Sequence, residues 1–369
     1  MTDLAVLYLA RFADGFDEFE RFAASYRKHP PGHRHDLIII AKGFENGGQL
    51  SLLGKIFSNI SHSIVEMQDD IGVDIHAYQA ACRQISHHTV CFINTHARLQ
   101  ADQWLEKLYS NFRKPGVGIV GATGSYESLY SSIKLTYQIC WLIDNDSAFN
   151  PKLTRQFKWL FAPRSPASVD ALWSPLKRIK IMLDDRREKR KSADEVSQTY
   201  EATWSMATEP GAGFHDISNI PEFPNPHIRT NVFMLSRERF LDCPINGDNK
   251  FAALQFESGP SGINACIRKA RLRSLAVGAD GVGYDVEQWP FAKGFRSGNQ
   301  SNLLAIDNQT EEFRHLSRNE KRMMATMTWA GYQSKHIGPN EAVLGVPFLS
   351  NHPLFLMSIP VAKSPHRKL

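Results

Sequence analysis

The sequence contains no long uncharged hydrophobic run, although 42% of its 369 residues are hydrophobic. A helix that spans a membrane needs about 18 or more predominantly apolar residues in succession, and no segment has them. The opening residues, Met1-Thr2-Asp3-Leu4, also lack the basic and apolar segments of a signal peptide. We therefore expect a cytoplasmic protein with enough apolar residues to bury a core.

Cysteine and excess charge are also scarce. The five cysteines are Cys82, Cys91, Cys140, Cys243 and Cys266. No two of them form a Cys-x-x-Cys pair, so we expect reduced thiols rather than a disulfide framework or a zinc site. The 43 basic and 38 acidic residues leave a net charge of only +5. Without a nucleic-acid-binding motif, that balance gives no reason to expect a nucleic acid partner.

A regular alternation of strands and helices fills the first 125 residues. Strands are predicted at 4–9, 36–41, 63–67, 89–93 and 117–120, those at 36–41 and 89–93 buried, and helices at 17–29, 52–60, 75–85 and 104–112. The same alternation returns with strands at 232–235 and 272–277 and a helix at 263–270. Strands separated by helices indicate a mostly parallel α/β sheet covered by helices.

The middle of the chain interrupts this alternation. Residues 126–205 show helical patterns without a convincing strand, and 166–191 contain eight basic and four acidic residues. A helix over 172–191 with this charge is most simply a solvated face. It would also be attracted to an anionic membrane surface, where each Lys or Arg adds about 1 kcal/mol. Both interpretations stay open.

The glycines of segment 117–124 imitate a dinucleotide-binding fingerprint. The segment lies at the end of a strand and before a helix, and Asp144 lies about twenty residues further on. If Gly124 is the second glycine of the fingerprint, however, the first falls on Ala122 and the third on Glu127. The unit is also not the first strand–helix turn, where this site normally lies. The pattern favours a plain turn over a nicotinamide site, and we expect no NAD cofactor.

Two polar segments have the residue types of a binding site. Asn94 and His96 directly follow the strand at 89–93, and ligands of open α/β sheets bind beyond the carboxyl ends of strands. Lys293 and Arg296 stand among glycines, whose backbone N–H groups can approach a phosphate. The second segment is equally well explained as a surface loop.

Glu257 is the carboxylate with the most chemical interest. It is predicted in the loop before the helix at 263–270, where a carboxylate is commonly a cap or a partner of the helix dipole. Considered alone, that position favours the structural role over a catalytic one.

Taken in order, these pieces resemble the GT-A fold of the family 2 glycosyltransferases. The matching segments are the strand, helix and strand of 4–42, the turn and helix of 70–78, Asn94-Thr95-His96 at the position of the Asp-x-Asp motif, Trp104-Leu105, the strand and basic pair of 231–240, and Glu257 to Arg268 with the strand that follows. Each motif is loose, but their order is more specific than any one of them. The resemblance covers roughly 1–125 and 225–300.

The resemblance implies an α/β, GT-A-like (Rossmann-like), mostly parallel sheet with a helical insertion. It divides the chain into a nucleotide-sugar-binding half (1–125), a basic helical insertion (126–220), an acceptor and catalytic half of the same domain (221–305) and a C-terminal extension (306–369). Glu257 would be the general base that deprotonates the acceptor hydroxyl, which then attacks and inverts the anomeric carbon. By position, the nucleotide sugar would contact Arg11, Asp14, Asp69, Asp70, Asn94, His96, Lys293 and Arg296, and the acceptor would contact Asn225, His227 and Asn231.

The sequence departs from the family pattern in two places. Asn94 and His96 replace the aspartates of the Asp-x-Asp, and they are poor ligands for Mg²⁺ or Mn²⁺. Lys42 stands where an acidic residue usually follows the second strand. The charge of the diphosphate leaving group must still be neutralised. Either His96 helps to hold a divalent cation, or Lys293 and Arg296 act without one.

The predicted function is therefore transfer of a sugar from a nucleotide-diphosphate sugar to a glycan or lipid-linked acceptor. The resemblance points to bacterial surface-polysaccharide synthesis, in the cytoplasm or at the inner face of the cell membrane. The alternative is a non-catalytic nucleotide- or glycan-binding scaffold of a polysaccharide assembly complex, which the missing aspartates suggest.

Overall fold

The structure is a computed structural model that describes residues 2–67, 70–132 and 219–329. Several parts of the sequence interpretation lie outside these residues, among them the basic helix expected at 172–191, Asp69, Cys140 and Asp144. Among the helices of the described ranges, none has both the length and the apolar character needed to cross a membrane.

The chain divides into two compact units. One contains 1–126 and 219–324, and the other contains 127–218 and 325–369. Residues 221–305 lie in the same unit as the first 126 residues, and the unit also contains 306–324, the start of the segment expected to be a C-terminal extension. The first unit contains the sheet.

The first half of this unit alternates strands and helices as the sequence predicts. Its elements are β1 (Leu4–Arg11), α1 (Phe16–Lys28), β2 (Asp36–Lys42), α2 (Gly47–Ile56), β3 (Ser63–Met67), α3 (Asp74–Arg83), β4 (Thr89–Ile93), β5 (Arg98–Leu99), α4 (Trp104–Phe112), β6 (Val117–Gly121) and β7 (Gly124–Ser125). Helix α2 begins five residues before the predicted start, because the Asn46 side chain accepts a hydrogen bond from the N–H of Gln49 and caps the helix.

The second half completes the sheet and adds short helices. Its elements are β8 (His227–Ile228), β9 (Val232–Ser236), α5 (Arg237–Leu241), α6 (Lys250–Ser258), α7 (Ile263–Lys269), β10 (Arg273–Val277), β11 (Gly283–Tyr284), β12 (Ala305–Ile306), α8 (Asn308–His315) and the first residues of α9 (Arg318–Trp329).

The central sheet is eight-stranded and mostly parallel, in the order β11-β10-β6-β9-β4-β1-β2-β3. Strand β1 pairs in parallel with β2 and β4, and β6 pairs in parallel with β10. Strand β9 runs antiparallel to both of its neighbours, β4 and β6. The prediction of an α/β fold with a mostly parallel sheet flanked by helices is confirmed.

The antiparallel direction of β9 decides which residues meet. Ile93, the last residue of β4, is opposite Val232, the first residue of β9. Just beyond this pair, the N–H of Asn94 donates to the carbonyl of Asn231 at 2.9 Å. The residues that precede β9 therefore lie at the same sheet edge as the carboxyl ends of the parallel strands.

Aromatic packing fixes α1 on the sheet. Tyr8 of β1 stacks on Phe22 of α1 with ring centroids 3.7 Å apart, and both are fully buried. The Tyr8 hydroxyl donates to the carbonyl of Thr95 at 3.1 Å, so its polar end is satisfied. This contact joins β1 to the turn that follows β4, where the first polar segment lies.

The glycines around β6 serve packing. A Cβ on Gly121 would lie 2.3 Å from Cγ2 of Ile228, and one on Gly124 would lie 2.5 Å from the Trp289 ring. After β6 the chain enters β7, which pairs with β8, and the next helical residues begin only at 129. In a dinucleotide fingerprint the glycine-rich turn leads directly from the strand into the helix, so this arrangement does not favour the nicotinamide alternative.

We predict that Gly121→Ala destabilises the protein by about 1–3 kcal/mol, because the added methyl group overlaps Ile228 in a packed core. Gly54→Ala is the matched control. It lies inside α2 with nothing within 4 Å of an added Cβ, so it should leave stability unchanged or raise it by up to about 1 kcal/mol. Urea unfolding measures both, and equal midpoints for Gly121→Ala and the parent chain would contradict the packing.

Candidate active site

Three charged side chains form a network beyond β1 and β2. Arg11 donates from Nε to Oδ1 of Asp70 at 2.8 Å and from Nη2 to Oδ2 at 2.5 Å. Lys42 is only 2% exposed, and its Nζ lies 3.7 Å from Oδ1 of Asp70 and donates to the carbonyl of Gly72. Two cations thus converge on one carboxylate, in the region where the sequence predicted nucleotide contacts.

Burial and charge shift the proton affinities of this network in opposite directions. The hydrogen bonds from Arg11 hold the pKa of Asp70 below its usual value. Burial lowers the pKa of Lys42, and the neighbouring carboxylates of Asp70 and Asp74 oppose that change. Burial raises the pKa of Asp74, and the charge of Asp14 adds to the effect. Lys42 therefore stands in the place of the family's acidic residue as a buried partner of Asp70.

His96 turns toward α1. Its Nε2 lies 3.8 Å from Oδ1 of Asp14, and its Nδ1 lies 3.5 Å from Oε2 of Glu18. Neither His96 Nδ1 nor Glu18 Oε2 has a hydrogen-bond partner within the described residues. The contact with Asp14 brings His96 to the Arg11 end of the edge, because Arg11 and Asp14 are 3.9 Å apart.

The donor set at this position does not fit Mg²⁺ or Mn²⁺. The Asp-x-Asp positions hold an amide and an imidazole, and the Asn94 Oδ1 atom is buried without a hydrogen-bond partner in the described structure. Across residues 2–67, 70–132 and 219–329, no group of three or more His, Cys, Asp or Glu side chains is arranged to hold a metal ion. These hard cations prefer several oxygen ligands, above all carboxylates.

Glu257 occupies the last turn of α6, so the prediction that it lies in a loop is wrong. Helix α6 spans Lys250–Ser258, and Asn249 caps its start by accepting from the N–H groups of Phe251 and Ala252. The Glu257 side chain is 18% exposed. Its Oε2 atom accepts hydrogen bonds from the N–H and the hydroxyl of Thr230, at 2.5 and 2.7 Å. One carboxylate oxygen is thus held in place by the residue two before β9.

The second oxygen of Glu257 faces a histidine. Nε2 of His227 lies 3.6 Å from Oε1 of Glu257, and Nδ1 of His227 is 2.8 Å from the carbonyl of Asn225. A carbonyl cannot donate, so Nδ1 carries a hydrogen, and Nε2 is the ring nitrogen that faces the carboxylate. Oε1 of Glu257 is thus an acceptor that suits a ligand hydroxyl that donates its hydrogen.

Asn264 is an important residue that the sequence interpretation missed. It is 1% exposed, its Oδ1 accepts from the N–H of Ile228 at 2.8 Å, and its Nδ2 donates to the carbonyls of Ile228 and Glu257 at 3.0 and 2.9 Å. It therefore ties β8 to the end of α6. An asparagine on the apolar face of a short helix was the available signal, because a buried amide needs partners.

Asn225 and Asn231 are buried in hydrogen-bond networks. The Asn225 amide donates to the carbonyl of Ser258 at 2.8 Å, which holds its loop against α6. The Asn231 amide accepts from the Thr123 hydroxyl at 2.9 Å and donates to Asp307 at 3.1 Å. Their exposed fractions are 1% and 3%, so in this structure both side chains stabilise the backbone around the site.

A buried ion pair belongs to the same network, because Asp307 accepts from Asn231 and also pairs with Arg229. Arg229 and Asp307 meet at 2.9 Å, with Arg229 also 4.0 Å above the Phe295 ring. Burial alone would raise the pKa of Asp307, but the charge of Arg229 and the hydrogen bonds with Thr310 hold it below its usual value. Asp307 also caps α8 by accepting from the N–H of Thr310.

Lys293 and Arg296, the two cations predicted to contact the diphosphate, differ in their exposure to solvent. Lys293 is exposed, whereas Arg296 is 7% exposed, lies 4.7 Å from the centre of the Phe295 ring and donates to Gln309. The Phe295 ring contacts the guanidinium groups of both Arg296 and Arg229, so it links this segment to the Arg229–Asp307 ion pair. The segment is a folded turn rather than a free loop, since the side chain of Gln300 accepts from the N–H of Arg296.

Comparison with solved structures finds chains with a weak similarity to this one. The chain is similar to GalNAc-T7 with UDP, GalNAc and Mn²⁺, at 17% identity and a TM-score of 0.27, over 32% of this chain and 22% of that one. It is also similar to the mannosyltransferase PcManGT from Pyrobaculum calidifontis in complex with GDP-Man and Mn²⁺, at 12% identity and a TM-score of 0.31, over 57% of this chain and 76% of that one. The structural neighbours are GT-A glycosyltransferases. Similarity at this level does not show which residues act in this chain.

No protein-family model and no curated protein sequence matches the chain. The roles of the site residues therefore depend on the geometry of this chain alone.

We predict that Asp307→Asn destabilises the protein by about 3–5 kcal/mol at neutral pH, because it leaves the buried charge of Arg229 without its partner. A carboxylate whose folded pKa is depressed contributes stability above its unfolded pKa and loses it as the pH falls. The free energy of unfolding of Asp307→Asn should therefore fall less between about pH 5 and about pH 3 than that of the parent chain.

The control for this prediction is Asp17→Asn, at an exposed position in the first turn of α1. It should change stability by less than about 0.5 kcal/mol. If Asp307→Asn behaves like Asp17→Asn in both size and pH dependence, the buried ion pair does not support the fold.

Proposed function

We propose that the protein is a glycosyltransferase that moves a sugar from a nucleotide-diphosphate sugar to an acceptor hydroxyl, with Glu257 as general base. The observation that carries the proposal is the setting of Glu257. Thr230 holds one of its oxygens, while the other faces Nε2 of His227 at 3.6 Å.

The chemistry follows from that setting. A general base must reach the proton that it removes and must be held in one orientation. An acceptor hydroxyl between Glu257 and His227 would donate its hydrogen to the carboxylate as its oxygen attacks the anomeric carbon. A positioned base contributes about 10²–10⁴-fold to such a step. Attack opposite the departing diphosphate inverts the anomeric centre, and this outcome is part of the proposal.

The nucleotide end of the site lies at the same sheet edge. In the proposal the donor base and ribose contact Arg11, Asp14 and Asp70, together with Asp69, which lies outside the described residues. Asn94 and His96 follow β4 and are joined to the Glu257 side through the hydrogen bond from Asn94 to Asn231.

The diphosphate requires positive charge as the bond to the sugar breaks. Because the described residues do not fit a divalent cation, we assign this role to protein cations. Lys293 is the exposed cation of its segment, whereas the Arg296 guanidinium is packed against Phe295. We therefore expect Lys293 to contact the leaving group and Arg296 to support the turn that presents it. Asn225, His227 and Asn231 would shape the acceptor side.

The acceptor in this proposal is a glycan or a lipid-linked glycan of a polysaccharide pathway, used at the inner face of a cell membrane. The net positive charge of segment 166–191, which lies outside the described residues, would attract it to anionic lipid and so hold the protein at this location. The second candidate is a non-catalytic scaffold that binds a nucleotide or a glycan. The replacement of both Asp-x-Asp carboxylates by Asn94 and His96 favours it.

Glu257→Gln separates the two candidates. The change keeps the size of the side chain and removes the base, so turnover of a nucleotide sugar should fall about 10²–10⁴-fold while nucleotide affinity stays within about twofold. Glu238→Gln, on the exposed first turn of α5, is the matched control and should keep full activity. Turnover that survives Glu257→Gln would show that another group is the base. A parent chain that binds nucleotide but turns over no donor would favour the scaffold.

Thr230 provides a finer test of the same site. Thr230→Val removes the hydroxyl that donates to Glu257 but keeps the shape, and we expect kcat to fall about tenfold with little change in KM for the donor. Thr230→Ser keeps a hydroxyl and should restore most of the rate. Equal losses in both variants would show that the Thr230 methyl group matters rather than its hydrogen bond.

A further inference from the structure

Two thiols meet beside the loop that joins α6 to α7. Cys243 follows α5 by two residues, and Cys266 lies in α7. Their sulfur atoms are 3.9 Å apart, and both thiols lie within reach of one acceptor, the carbonyl of Ser261, at 3.7 and 3.5 Å. The shared acceptor holds the two sulfurs side by side.

The two thiols differ in access to solvent. Cys243 is 1% exposed, and burial raises the pKa of its thiol, with the neighbouring Cys266 adding to the effect. Cys266 is partly exposed, so a small oxidant can reach it. Cys82 and Cys91 are buried, and burial raises the pKa of Cys82 to about 12. Reactivity at a cysteine depends on access, and the partial exposure of Cys266 favours it as the first to react.

We propose that Cys243 and Cys266 form a covalent modification site, a dithiol that is oxidised to an intramolecular disulfide by low-molecular-weight disulfides such as glutathione disulfide. Oxidation proceeds in two exchanges. Cys266, as thiolate, attacks one sulfur of the oxidant, and one glutathione leaves and takes up the proton that Cys266 released. Cys243 then loses its proton and attacks the Cys266 sulfur, which expels the second glutathione. Two protein thiols and one oxidant become one protein disulfide and two glutathione thiols.

The loop beside the two cysteines is tightly packed against the end of α6. A Cβ on Gly262 would lie 2.3 Å from the carbonyl of Phe256, so the chain passes close to the end of α6. A disulfide bond is about 2.0 Å long, so oxidation must draw the sulfurs together from 3.9 Å and alter their contacts with Ser261. The loop connects the helix of Glu257 to the helix of Asn264, so the cross-link acts on the segment that positions the carboxylate.

The cross-link itself does not depend on the proposed function, whereas any effect on turnover rests on it. If the disulfide forms and no nucleotide sugar is used, the proposed function fails and the modification site stands. If donor turnover depends on Glu257 and no disulfide forms, the reverse holds.

The test uses the full chain with Cys140→Ser, because Cys140 lies outside the described residues. The protein is equilibrated with reduced and oxidised glutathione at increasing ratios, alkylated and digested with trypsin without reduction. Cys243 and Cys266 fall in different tryptic peptides, 240–250 and 251–268. We expect these peptides to become linked, with a mass two hydrogens below their sum, and to separate again in dithiothreitol.

Two variants control the assignment. Cys266→Ser should lose the linked peptide and keep Cys243 unmodified, whereas Cys82→Ser should form the link as the parent does. Reversal by dithiothreitol in the parent provides evidence that does not depend on the folding of either variant. Glutathione attached to Cys266 without the linked peptide, or two unmodified thiols at a ratio that oxidises dithiothreitol, would overturn the proposal.

Discussion

The antiparallel placement of β9 between β4 and β6 is the constraint on which the rest of the site depends. In a sheet of parallel strands alone, residues that precede a strand lie at the edge opposite to residues that follow one. Because β9 is reversed, Thr230 and Asn231 lie beside the residues that follow β4. Glu257 then reaches the edge through its two hydrogen bonds with Thr230. One reversed strand thus brings the second half of the chain to the groups at the ends of the parallel strands.

The charges along this edge are mostly paired within the protein. Arg229 is held by Asp307 at one end, and Asp70 is held by Arg11 at the other. The Arg229–Asp307 pair is buried and resists reorientation, because breaking it would leave an unsatisfied charge in a medium of low polarity, whereas the Arg11–Asp70 pair is more than a third exposed. The edge is therefore organised before a ligand arrives, which reduces the cost of orienting charged groups during a reaction.

Much of the fold could be predicted from the sequence, and the contacts of the site could not. Strands such as β2 and β4 are continuous apolar runs, and this pattern is typical of buried parallel strands. The direction of β9 has no such signature, because an antiparallel central strand is as apolar as its neighbours. Glu257 was predicted in a loop because Asn249, which caps α6, gives a weaker signal than an apolar period. The pairing of Lys42 with Asp70 joins residues distant in the chain, and no local pattern reveals it.

The central claim is that this sheet edge binds a nucleoside diphosphate. The most direct measurement is the thermal stability of the protein with UDP, GDP, CDP, dTDP or NAD(P), each in Mn²⁺ and in EDTA. A ligand at about 100 times its Kd adds about 2.7 kcal/mol to the free energy of unfolding. We predict that one nucleoside diphosphate raises the Tm, in EDTA as well as in Mn²⁺, because the described residues offer no metal-binding group. Stabilisation by NAD(P) alone, or by none of these nucleotides, would contradict the account.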